Sequence, residues 1–121
     1  MRFLPFIPAL VLFCASAQAE EVSSSRARKY AKTMQALIRA ENEEELTKLI
    51  ARMGVLDHPR SVILIPPAAT LLPSKINYEK ALETIEFLEN PEAVAALIKS
   101  YKKARSLEDK VLLLDSFGYR D

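Results

Sequence analysis

The chain has no tryptophan, two glycines, one cysteine and one histidine among its 121 residues. Each scarcity closes a class of chemistry. Two isolated glycines, Gly54 and Gly118, exclude a glycine-rich phosphate loop. Glycine this rare beside abundant Ala, Leu, Glu and Lys argues against a turn-rich β fold and predicts helices. A single cysteine forms no internal disulfide, and one histidine without a cluster of partners falls short of a zinc site. No cofactor or metal is expected. Charge of one sign is also missing, with 17 Lys and Arg against 16 Asp and Glu. A chain this close to neutral lacks the electrostatic footprint of a nucleic-acid binder.

What is present begins with a leader. Met1-Arg2 precedes a nearly unbroken apolar stretch from Phe3 to Phe13, followed by Cys14-Ala15-Ser16-Ala17-Gln18-Ala19 and then Glu20. A basic start, a short apolar run and a small-x-small site predict a signal peptide over 1–19. Ala17 and Ala19 occupy its small-residue positions, with cleavage before Glu20. The run is shorter than the roughly 20 residues that span a bilayer, and Pro5 and Pro8 make it a poor core helix. Lipidation of Cys14 is disfavoured, because Phe13 stands where a lipoprotein has a small residue. Cleavage would remove the only thiol and leave 102 of the 121 residues at zero net charge. The expected location is periplasmic or extracellular, without stable membrane insertion.

After a flexible linker expected at 20–25, apolar spacing predicts a single domain of helices over 26–121. Ala27, Tyr30, Ala31, Met34, Leu37 and Ile38 make one face of a helix from about 25 to 40. Glu43-Glu44-Glu45 opens a second helix, with Leu46, Leu49, Ile50 and Met53 as its stripe and Gly54 as its expected stop. Between 57 and 73 the prolines predict a short helix at 59–65, a break, and a turn or two at 67–72. Asn77 is expected to cap a helix carrying Tyr78, Ala81, Leu82, Ile85 and Leu88. Asn90-Pro91-Glu92 starts the next, which runs to about Ala104 with Val94, Leu97, Ile98 and Tyr101 inward. Ser106-Leu107-Glu108-Asp109 reads as a capping box with Asp for Glu, opening a last helix to Phe117.

The helices also carry a repeat. Lys48 to Val62 (KLIARMGVLDHPRSV) aligns with Lys80 to Val94 (KALETIEFLENPEAV) at an offset of 32. Leu56-Asp57-His58-Pro59 falls against Leu88-Glu89-Asn90-Pro91, the end of one helix and the proline-led start of the next. A third copy begins at Ser106. On these residues the chain resembles the HEAT and armadillo-like helical repeats over roughly 43–121. That resemblance implies an all-α fold, a short right-handed α-solenoid of stacked hairpins, and carries no catalytic residues. The alternative is a small helical bundle.

Candidate chemistry is thin. His58 aligns with Asn90, so an N-cap role fits it better than proton transfer. Glu79, Glu83, Glu86 and Glu89 lie along one helix face with nothing to split their acidities, and are expected to pair with Lys99, Lys102 or Lys103. Ser74-Lys75 has the residue types of a nucleophile and base, but neighbours in a proline-bounded loop rarely converge. The basic face of the first helix could meet anionic lipid, yet its Ala-rich stripe better suits packing. The expectation is a non-enzymatic module for protein–protein interaction. Tyr78, Tyr101 and Tyr119 are its candidate partner surface, and another protein or a second copy is expected to cover the open face of the C-terminal helix. The alternatives are the start of a longer HEAT-repeat protein and a small secreted helical inhibitor or hydrolase.

Overall fold

Helices are found where the sequence predicts them in the computed structural model, which describes the backbone of residues 7–118 and the side chains of residues 20–118. In chain order they are α1 (Ile7–Arg39), α2 (Glu43–Leu56), α3 (Pro59–Val62), α4 (Ile65–Thr70), α5 (Lys75–Glu86), α6 (Pro91–Lys103) and α7 (Leu107–Gly118). No strand occurs among the described residues, and the fold is all-α.

Short polar side chains set the helix starts. Asn42 accepts from the Glu45 N–H at 3.2 Å, His58 Nδ1 from Arg60 at 3.1 Å, and Asn90 from Glu92 at 3.0 Å. Each satisfies one of the donors a helix start leaves unpaired. Only half of the expected box forms at Ser106, whose hydroxyl accepts from the Asp109 N–H at 3.3 Å. Asp109 does not reciprocate; its carboxylate accepts from Thr70.

Four boundaries differ from expectation. The break expected at Pro66-Pro67 falls at residues 63–64, so α3 stops at Val62 and both prolines sit in the first turn of α4, where a missing N–H leaves no helix bond unmade. Residues 20–25 continue α1 as helix rather than linker. Between Ala9 and Met53 there is neither proline nor glycine, so the three serines alone do not break the helix. Gly54 does not end α2. The left-handed position falls to Asp57 (φ 49°), whose N–H reaches the Met53 carbonyl, and α2 runs on to Leu56. Finally, Ser74 rather than Asn77 caps α5, accepting from the Asn77 N–H at 3.3 Å. Asn77 lies one turn inside, buried against Thr47 of α2.

The core draws on every helix. Leu46, Leu49, Ile50 and Met53 of α2 meet Val62, Ile65, Ala68, Ala81, Ile85, Ala93, Leu97, Leu112 and Leu113, all sealed from solvent. Ile98, expected inward, is 44% exposed. The helices form two rows, α1–α3–α6 and α2–α5–α7, with α4 wedged against α2, α5 and α7. The rows carry opposite charge. From Glu20 onward the first holds nine Lys and Arg against three Glu, and the second five Lys and Arg against nine Asp and Glu. Near-neutrality is thus a cancellation between two sides of the molecule.

One side chain ties the α2–α3 turn to the α5–α6 turn. Asp57 Oδ2 accepts from the Glu89 and Asn90 N–H groups at 2.9 Å each, and its carbonyl accepts from Asn90 Nδ2 at 2.9 Å. Its other carboxylate oxygen is buried without a partner.

Candidate functional site

The residues with the chemistry of an active site are occupied structurally. His58 is 7% exposed, and its Nδ1 accepts the Arg60 N–H. The ring proton is therefore on Nε2, which donates to Glu20 Oε1 at 2.8 Å. Both nitrogens are engaged, and neither is free to act as base or ligand. Ser74 Oγ donates to Glu43 Oε1 at 2.7 Å while capping α5, and Lys75 reaches Glu79 at 4.0 Å. Ser61 and Ser116 are buried and donate to the Met53 and Leu112 carbonyls. Glu79 and Glu83 pair within α5, with Lys75 and Lys80, where partners on the next helix were expected. Among the described residues no three His, Cys, Asp or Glu side chains gather as a metal site.

At the start of α7, Glu108 accepts from its own backbone N–H and from the Ser106 hydroxyl, which hold its carboxyl below its ordinary value of 4.5. Its charged form thus supports the fold at neutral pH, and that support is lost as the pH falls below about 4.5. Glu108→Gln is expected to flatten the decline of the urea midpoint between pH 7 and pH 3, leaving the remaining carboxylates to account for the rest.

Two surfaces remain. The first is the outer face of α7. Leu112, Leu113 and Ser116 turn into the core, while Leu107, Val111 and Leu114 are 71%, 44% and 54% exposed. At a step of i, i+4, i+7 these three form one stripe directly opposite the buried one. A helix apolar on both sides is ordinarily enclosed on both. Tyr78 stands beside the stripe, lining with Leu107, Val111 and Pro73 a groove of about 440 Å3, and its hydroxyl donates to Asp115.

The second surface is a groove of about 480 Å3 between α3–α4 and α6. Its floor is Ile63, Pro66, Pro67, Ala96 and Leu113, and its rims carry Arg60 on one side and Lys99 and Lys103 on the other. All three cations are exposed, and no ion pair engages them among the described residues. Asp109 closes one end, already bonded to Thr70.

Of the tyrosines singled out in the sequence, Tyr78 joins the α7 face. Tyr101 packs edge-to-face on Phe117 with ring centroids 6.4 Å apart. Tyr119 lies outside the described residues, as do the side chains of Ala17 and Ala19, while Glu20 is exposed against His58. Sequence reasoning expected an open face on the C-terminal helix but did not identify the apolar stripe on it, and it missed the groove. A second wheel over α7 would have shown Leu107, Val111 and Leu114, and the i, i+4 spacing of Lys99 and Lys103 would have marked the groove's rim. No family model, curated protein or solved structure matches the chain.

Proposed function

We propose that the protein is an exported, non-enzymatic interaction module of HEAT-like helical repeats, and that its C-terminal face docks another protein or a second copy. The doubly apolar α7 carries this reading: Leu107, Val111 and Leu114 stand exposed on a helix whose opposite side is core. The exposed stripe and its neighbouring groove join into the kind of apolar patch that marks association sites. Export rests on the leader sequence, and the repeat on the 32-residue register of the α2–α3 and α5–α6 segments.

Light scattering after size exclusion, with capture from the exported fraction of the source cells, tests the proposal. A second copy gives a dimer, and a different partner gives a monomer that captures one protein in fixed ratio. In either case Leu114→Glu is expected to abolish the association while leaving the melting temperature within a few degrees, because the side chain is exposed. A monomer that captures nothing would end the reading.

A further inference from the structure

We infer that the groove between α3–α4 and α6 binds an extended acidic peptide segment in which carboxylates alternate with apolar residues. The site goes beyond the exposed α7 stripe: α3, α4 and α6 build it, and α7 adds only Asp109 and Leu113, which are not part of that stripe. Its chemistry is two-part. Ile63, Pro66, Pro67, Ala96 and Leu113 give an aliphatic floor, while Arg60, Lys99 and Lys103 offer three charges that no carboxylate of the protein neutralises among the described residues. Asp109 contributes a single opposing charge at one end and is held by Thr70. The surroundings reinforce the sign, since the α1–α3–α6 row as a whole is cationic.

The spacing selects the ligand's form. Lys99 and Lys103 are one turn apart on α6, so their stems rise about 6 Å from each other. Alternate side chains of an extended peptide lie about 6.6 Å apart on one side, with the intervening side chain on the other. Two acids at i and i+2 therefore meet the two lysines while the residue between them turns toward Ile63 and Pro66. Arg60, on the facing rim, is placed for a further carboxylate or the peptide's own terminus. About 480 Å3 accommodates several side chains rather than one small anion. Among the described residues no aromatic side chain lines the groove, which leaves bases nothing there to stack on and favours a peptide over single-stranded nucleic acid.

Fluorescence anisotropy with a labelled hexapeptide of alternating Glu and Leu, and its Gln/Leu counterpart, tests this on the mature chain. The Glu/Leu peptide is expected to bind at least tenfold tighter than the Gln/Leu peptide. Lys99→Glu with Lys103→Glu is expected to weaken it at least tenfold, and Lys102→Glu, exposed on α6 but outside the groove, less than twofold. Ile63→Asp should weaken it too. Leu114→Glu should leave it unchanged, which separates failure of this site from failure of the α7 proposal. Binding that is absent, indifferent to the peptide's charge, or lost equally with Lys102→Glu overturns the inference. So does binding of phosphatidylglycerol vesicles without binding of the peptide.

Discussion

Asp57→Ala is expected to lower the stability of the domain by about 3 kcal/mol, the sum of two losses at one position. Two N–H groups at the head of α6, those of Glu89 and Asn90, lose their charged acceptor, and hydrogen bonds of that kind contribute about 1.5–3 kcal/mol. The residue also sits at φ 49°, where an alanine is strained by about 1 kcal/mol and asparagine is tolerated. In a domain of this size the change lowers the melting temperature by roughly 12–24 °C. Asp57→Asn keeps an acceptor oxygen and the left-handed conformation, so its cost should stay below about 1.5 kcal/mol. Paired urea melts of the two variants decide the point. Equal losses would show that the turn-to-turn link contributes little beyond the negative charge.

Gly54→Ala is expected to destabilise by up to about 2 kcal/mol, against the usual direction for glycine within a helix. The helix alone would gain about 1 kcal/mol from alanine. Here an added Cβ would stand 2.1 Å from Thr84 Cγ2 on α5, and forcing an extra carbon into packed structure costs about 1–3 kcal/mol. Threonine cannot easily turn away, because its branched β-carbon restricts χ1. Thr84→Ser removes the offending methyl. The double variant Gly54→Ala/Thr84→Ser should therefore recover to at least wild-type stability, a coupling of about 2–3 kcal/mol in a thermal-denaturation cycle. Simple additivity of the two changes would mean that α2 and α5 do not meet closely at this point.

These positions also show where the sequence could be read and where it could not. The starts of α3, α5 and α6 depend on local chemistry. Asn90-Pro91 and His58-Pro59 were legible as caps because cap, proline and first turn are contiguous. Gly54 misled because the same residue serves two unrelated purposes, a left-handed stop and a close helix contact. Only the position of Thr84, thirty residues away, distinguishes them. Asn77 misled for a similar reason: its partner Thr47 is on another helix, whereas Ser74 does the local work. The two candidate surfaces were harder still. Apolar periodicity identifies one buried stripe per helix and stops there, so the second stripe of α7 was absorbed into the general hydrophobicity of Leu112-Leu113-Leu114. The basic groove depends on Arg60 and Lys99 facing each other across thirty-nine residues of chain, which no local pattern encodes.

The bond from His58 to Glu20 has a consequence for how the molecule would be finished. Cleavage before Glu20 would make that residue the new chain end, and its carboxylate is already fastened to a buried ring at the head of α3. Helix ends normally fray, and a fresh one with nothing to hold it is an easy foothold for exopeptidases. This end would instead begin with two acids, Glu20 and Glu21, in the turn where a helix's own dipole welcomes negative charge. The scissile position and the first tertiary anchor of the mature chain would then coincide, so trimming the leader would leave a finished terminus rather than a loose one.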